Sequence, residues 1–390
     1  MARQAAIAAD SPGRPQASRL LPLDALRGLI MVLMALDHAS HFVAQKHPAS
    51  EMWGGPFPAY SDPLAFITRF VTHFSAPGFF FLMGAGMFLF AEARRKHGWG
   101  EWAITRFFLI RGGLLIALKF LVINRAWELS PGGWGVGIYI GVLFALGAGM
   151  ILCSLFLRLR TEHLLMLAAA LLVGTELLVP APGQWGPMKL AGPLGLLNPL
   201  LLTPGGMPEV GLWSNYPLLP WLELMVFGMA FGHWLAAGER QAYRRSLLLG
   251  AAFLALFLVL RVADGFGNIR PRMGDTWMDF LNVVKYPPSM AFTFMTMGVN
   301  LILLNRLAGV GGKLLPVTAT LAVFGRVPLF FYVLHLFLYA GLGRLFTPRG
   351  TSIPGMLPFW FLGLLVLYPL CLWYGRLKQQ SPAASILRFL

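Results

Sequence analysis

Three histidines lie inside long apolar stretches: His38 in the first, His73 in the second and His335 in a late one. An ionisable side chain in hydrocarbon costs about 2.5–3.5 kcal/mol on insertion scales, so each is a candidate for chemistry rather than filling. Imidazole titrates near neutrality and moves a proton in either direction, which makes it the natural general base of a watered pocket. The first stretch also carries Asp24, Arg27, Asp37 and His41, and the second carries Arg69. As a helix, Asp24 to His38 rises about 21 Å, which puts His38 in the far third of a bilayer entered at residue 21. The second stretch returns and meets Arg69 and His73 within its first two turns. The late one runs outward with Arg326 near its start and His335 in its outer half. His38, His73 and His335 are therefore expected at one depth.

Helix geometry refines the set. Asp37 and His38 point about 100° apart, whereas Asp37 and His41 share a face. An Asp37–His41 hydrogen bond is expected, with His38 facing the bundle interior. The plainer roles are a cap at the helix start for Asp24, snorkelling to the near surface for Arg27, Arg111 and Arg326, and interhelical hydrogen bonding for any single histidine. Asp37, His41 and His73 could be drawn as a metal set, but their spacing demands none, and no metal is expected.

The elements that hold these residues follow from composition. Of 390 residues 57% are hydrophobic and 12% charged, about half the charged share of a soluble domain. The apolar residues fall in blocks of roughly 20, the length that crosses a bilayer. An all-α, polytopic helix bundle of about ten spans is expected, at 21–44, 65–91, 104–124, 136–157, 162–180, 217–237, 246–262, 288–305, 318–342 and 357–377. The net charge of +15 does not indicate nucleic acid, because the Lys and Arg residues cluster at block ends instead of forming one face. Arg94, Arg95 and Lys96, Arg158 and Arg160, Arg240, Arg244 and Arg245, and Arg376 and Lys378 fall on one side, which places both termini in the cytoplasm. Residues 1–19 have no apolar core and read as a disordered tail, 20–378 as the membrane domain and 379–390 as a second tail. The Pro/Gly-rich segment 181–216 and the more polar 263–287 are the long outer loops. Cys153 and Cys371 fall inside predicted helices and suggest packing.

Five segments carry a resemblance: LDALRGLIMVLMALDH (23–38), FITRFVTHFSAPGFFFLMGAG (66–86), YPLLPW (216–221), FLNVVKYPPS (280–289) and GRVPLFFYVLH (325–335). Together they resemble the bacterial DUF1624 family, which is similar to the catalytic domain of heparan-α-glucosaminide N-acetyltransferase and more loosely to YeiB and acyltransferase-3 membrane proteins. That lysosomal enzyme moves acetyl from cytosolic acetyl-CoA to a glycan across the membrane. The resemblance implies a multi-pass protein of the bacterial inner membrane. Asp24, Arg27 and Gly28 match the family's D-x-x-R-G, and Asp37 stands where the lysosomal enzyme has Asn. Lys46 and His47 match the Lys-His pair that contains that enzyme's proposed catalytic His, if one residue is gapped. The bacterial pattern stresses Asp37-His38 and His73, so His38 and His47 are both candidates for the base and His38 is preferred. Asn282, Lys285 and Ser289 match N-x-x-K-Y-P-P-S, where they would grip acceptor hydroxyls or a carboxylate. Arg326 and His335 match the late-helix motif.

The expected activity is transfer of an acyl group, acetyl above all, from acetyl-CoA to a sugar or glycan hydroxyl or amine. Arg27, Arg111 and Arg326 would hold the CoA phosphates, since guanidinium forks match phosphate geometry. The catalytic set comprises His38, Asp37, His41, His73, His335 and His47, with direct attack or an acyl-histidine intermediate both open. Partners are the bilayer and a glycan, and a homodimer is one option for the assembly. The rival is a proton-coupled transporter of small solutes or lipids, which would use the same residues as a relay but would be expected to show repeat symmetry and broken helices. A third reading is an acetyl-group flippase serving a separate transferase.

Overall fold

The computed structural model describes residues 20–48, 51–54, 57–130, 137–179, 197–207, 211–311, 314–382 and 385. The tail 1–19, most of the 181–216 loop and residues 383–384 and 386–390 of the second tail lie outside them.

Nine helices among the described residues are long and apolar enough to cross a membrane. The first is α1 (Leu21–Ala39), prolonged by a π-helical turn over Ser40–Ala44. The second span is α2 (Pro63–Thr72) and α3 (Ser75–Lys96), joined at His73–Phe74. The third is α4 (Glu101–Leu118), a π-turn at Lys119–Ile123 and α5 (Asn124–Glu128). Strand β1 (Ile138–Ile140) and the short α6 (Val142–Cys153) follow, then α7 (Thr161–Leu178). Next come α8 (Leu197–Leu201), β2 (Gly205–Met207), β3 (Leu212–Ser214), α9 (Leu218–Ala237) and α10 (Glu239–Ala263). The chain ends with α11 (Trp277–Leu281), α12 (Met290–Ala308), α13 (Leu315–Gly325), α14 (Pro328–Phe346) and α15 (Ile353–Gln380).

Two expected spans differ. The one placed at 136–157 is a three-residue strand and a 12-residue helix, α6. Gly141, with extended backbone, separates them. β1 pairs with β3 in a small sheet of order β1-β3-β2, a feature the all-α expectation lacks. α6 still joins the two ends of the bundle. Ser130, before it, meets His41, while Leu157, beyond it, accepts from Arg95 at 3.3 Å. The second difference is the span placed at 318–342, which breaks at Arg326–Val327. Pro328 lacks the N–H that would continue the ladder and starts α14 afresh.

Burial sorts the helices. α1, α3, α9 and α12 are mostly buried, whereas α7, α10 and α15 turn Met166, Leu177, Leu248, Val259, Val262, Phe361 and Leu365 outward. So much exposed aliphatic surface is an aggregation hazard in water and the expected lipid face in a bilayer. The chain is a polytopic membrane helix bundle. Asp24 lies inside the first turn of α1, not at its cap, which is Leu20. It pairs with Arg27 at 2.9 Å and lies 3.7 Å from Arg326.

The glycine of the D-x-x-R-G motif has a packing reason. α13 lies antiparallel against α1, and a Cβ on Gly28 would overlap the Leu321 carbonyl, just as one on Gly325 would overlap that of Asp24. Gly28→Ala should therefore lower thermal stability in detergent by about 1–3 kcal/mol, the usual cost of overpacking. Gly174→Ala, in α7 with nothing within 4 Å of its Cβ, should not. Equal melting of the two variants would refute the close-packing account.

Candidate functional site

The break before α14 and the π-turns of α1 and α4 surround one cavity of about 660 Å³. One end is walled by Arg27, Arg111, Arg326 and Lys378, the other by Asp37, His38, His41, His47 and Lys285. From Arg27 to His38 the helical rise is about 16 Å. Arg27 donates to Asp24 and to the Gly325 carbonyl, each at 2.9 Å, so the break in the chain supplies an acceptor that orients the guanidinium. The Arg111 Nε is buried with no hydrogen-bond partner among the described residues. A second hollow beside this end is lined by Arg94, Arg326, Arg376 and Lys378. Cations gathered with so little acid make an anion-binding mouth.

At the histidine end, the polar groups sort into two systems. In the first, His335 is fully buried on α14 and its Nδ1 donates to the Phe331 carbonyl at 3.0 Å. Its Nε2 must then accept, and the partner 2.8 Å away is His38 Nδ1. The hydrogen on His38 therefore sits on Nδ1, which leaves Nε2 as the nitrogen with a free lone pair. His38 lines the cavity and His335 stands behind it. Trp127 packs on both His38 and His41, at ring distances of 5.6 and 5.0 Å.

The second system centres on Arg69, which is 5% exposed. Its Nε donates to Glu51 at 2.7 Å and its Nη2 to the other Glu51 oxygen. Nη1 reaches Asp37, and His47 Nε2 at 2.8 Å. Because a guanidinium only donates, His47 Nε2 accepts here and its hydrogen is on Nδ1. Thr72 also donates to Asp37, at 2.8 Å, and His73 Nε2 lies 3.0 Å from Glu51. Burial alone would raise the Glu51 carboxyl, but the charges and hydrogen bonds of Arg69 and His73 hold it well below the usual range.

The expected Asp37–His41 hydrogen bond gives way to this arrangement. The π-turn beginning at Ser40 widens the helix, so the ordinary i, i+4 relation no longer holds across it. His41 Nε2 instead lies 3.3 Å from the Ser130 hydroxyl. Of the three histidines expected at one depth, His38 and His335 touch, while His73 joins Glu51 away from the cavity wall. Of the acceptor-gripping trio, only Lys285 lines the cavity. Asn282 donates to the Pro58 carbonyl at 2.9 Å, and the Ser289 hydroxyl accepts from Phe292 N–H as the cap of α12.

Sequence reasoning left several groups without a role. Glu51 stands in a loop with no periodicity; its signal is that Arg69 and His73, four apart on one helical face, need a counter-charge. Lys119, 1% exposed, reaches Asn124 and lies 4.6 Å above the Tyr139 ring. Tyr139, Trp213, Tyr216, Tyr286 and Tyr332 complete an aromatic wall at this end.

Residues 19–261 match the family model described as heparan-alpha-glucosaminide N-acetyltransferase, catalytic. No curated protein matches the chain.

Proposed function

The chain belongs to the family of heparan-alpha-glucosaminide N-acetyltransferase catalytic domains, and on that premise we propose that it transfers acetyl from acetyl-CoA to a sugar or glycan hydroxyl or amine across the bilayer. One observation supports the reading above the others: a single cavity joins an arginine mouth to a histidine chamber. A separation of about 16 Å between them is comparable with an extended pantetheine arm. Arg27, Arg111 and Arg326 take the CoA phosphates at the cytoplasmic end, and the thioester carbonyl reaches His38 and Asp37. There His38 Nε2 removes the acceptor proton as the acceptor attacks the carbonyl carbon, with His335 fixing the tautomer from behind. The aromatic wall supplies flat apolar faces of the kind sugar rings pack on. In this reading the protein sits in the bacterial inner membrane, donor side inward.

The same cavity would suit a proton-coupled transporter, and donor binding separates the two. Purified protein should bind CoA with an affinity that falls as salt rises. Arg111→Ala should weaken it roughly ten- to a hundred-fold, since a charge-assisted hydrogen bond is worth about 1.5–3 kcal/mol. Calorimetry that detects no CoA binding by the unaltered protein would favour the transporter.

A further inference from the structure

Any acyl transfer in this chamber needs a donor for the negative charge that appears on the carbonyl oxygen. Arg69 is committed to Glu51, Asp37 and His47. Lys119 is engaged by Asn124. Lys285 is different. It is 3% exposed and lines the cavity, yet its ammonium has no hydrogen-bond or ion-pair partner among the described residues. It lies 5.1 Å from the centroid of the Tyr286 ring. An ammonium carries three donors and no acceptor, so one that opens only onto this cavity is placed to receive an anion that enters it.

Its backbone explains how it is held there. Lys285 N–H donates to the Glu51 carbonyl at 3.3 Å, and Trp53 N–H to the Tyr286 carbonyl at 2.8 Å. Met52 and Tyr286 thereby form a parallel bridge. The segment bearing Lys285 is thus strapped to the loop that carries Glu51 and follows His47. Glu51 is in turn fixed to Arg69, whose Nη1 reaches Asp37. Lys285 enters the chamber from the side opposite the arginine mouth.

We infer that Lys285 is a catalytic residue of the transfer, its ammonium receiving the oxyanion formed when the acceptor attacks the thioester carbonyl. The inference rests on the acyltransferase reading above. In the addition step the acceptor lone pair bonds to the carbonyl carbon, the π pair moves to oxygen, and the histidine takes the acceptor proton. In the collapse step the carbonyl re-forms, the C–S bond breaks, and CoA leaves as a thiolate that regains the proton from the histidine. Lys285 gives up no proton; it supplies positive charge where charge develops, and that is the interaction that lowers the barrier.

The groups facing Lys285 are Asp37 and His38 on α1, Glu51 in the first loop, Arg69 and His73 at the start of the second span, and Tyr286 beside it. Burial lowers its ammonium to about 8, Arg69 pushes the same way, and Asp37 and Glu51 oppose. The charged form is therefore lost as pH rises through 8, and an alkaline limb should appear there in kcat/KM, which reports free-enzyme groups.

The test uses full-length protein in detergent with acetyl-CoA and D-glucosamine as probes, reading thiol release and acetylglucosamine. Lys285→Met should lose about 10²–10³ in kcat, the usual cost of one oxyanion donor, with acetyl-CoA affinity unchanged. Lys285→Arg keeps the cation and should move the alkaline limb upward, because guanidinium stays charged throughout the range. Three results overturn the inference: a Lys285→Met kcat within tenfold of the unaltered protein, a raised KM for glucosamine at constant kcat, or an alkaline limb that Lys285→Arg leaves in place. If Lys285→Met does not fold, the pH profiles of the unaltered protein and Lys285→Arg decide alone. Failure of the parent reading looks different: the unaltered protein would bind no acetyl-CoA, and the inference would fall with it.

Discussion

His38→Gln should lower turnover by about 10²–10⁴-fold while expression and CoA binding stay intact, that range being the usual worth of general-base catalysis. The expectation follows from tautomers. His335 spends its one hydrogen on the Phe331 carbonyl, so His38 must spend its own on His335 and present a bare Nε2. Glutamine keeps much of the volume and one hydrogen bond but has no basic nitrogen. His335→Gln should fall between, because it loosens the base without removing it. His47 offers the contrasting case. Its Nε2 already accepts from Arg69 at 2.8 Å, which leaves only an N–H for a substrate until that contact opens. His47→Gln should therefore be mild. Rates measured with acetyl-CoA and glucosamine decide between them, and a severe loss at His47 beside a silent His38 would move the base to the loop. Loss of folded protein in all three variants would make these histidines packing residues.

The helices were legible in the sequence because their signal is local. Twenty apolar residues in a row have one physical meaning in a chain this poor in charge, and the arginine clusters at block ends mark the same end of the bundle. The two departures have local causes that hydropathy averages away. Pro328 in an apolar run raises no alarm in a window of 20 residues, yet it divides α13 from α14 and frees the Gly325 carbonyl for Arg27. The short strand β1 hides in the same way, since its partner β3 lies more than 70 residues on.

The site was half legible for a different reason. Expensive charges announce themselves, so Asp37, His38, Arg69 and His335 could be picked from sequence. Their pairing is tertiary. Depth along a helix cannot say that His335 faces His38 while His73 turns to Glu51, because depth fixes height and not azimuth. Glu51 was invisible in a loop with no period, although a buried guanidinium and imidazole on one face require a carboxylate from somewhere.

That requirement makes Arg69 the residue whose loss should damage the fold most. Arg69→Met would leave Glu51, 1% exposed, without its bidentate partner, and would strip Asp37 and His47 of their shared donor. Removing one member of a buried pair costs about 3–5 kcal/mol, most of it the price of the stranded charge. Glu51→Gln alone should cost less, since Asp37 still pairs with Arg69. Combining Arg69→Met with Glu51→Gln should recover part of the stability, because no stranded carboxylate remains at Glu51. Arg69→Lys should rescue poorly: an ammonium is a point charge and cannot fork onto Glu51 while also reaching Asp37 and His47. Thermal melting of the purified variants, followed by size-exclusion in detergent, ranks them. Were Arg69→Met to melt with the unaltered protein, or the double variant to be worse than the sum of the two singles, the ion cluster could not be what ties the His47 loop to the second span. In that case the roof over the chamber, with Lys285 in it, would have to be held by the Met52–Tyr286 backbone bridge alone.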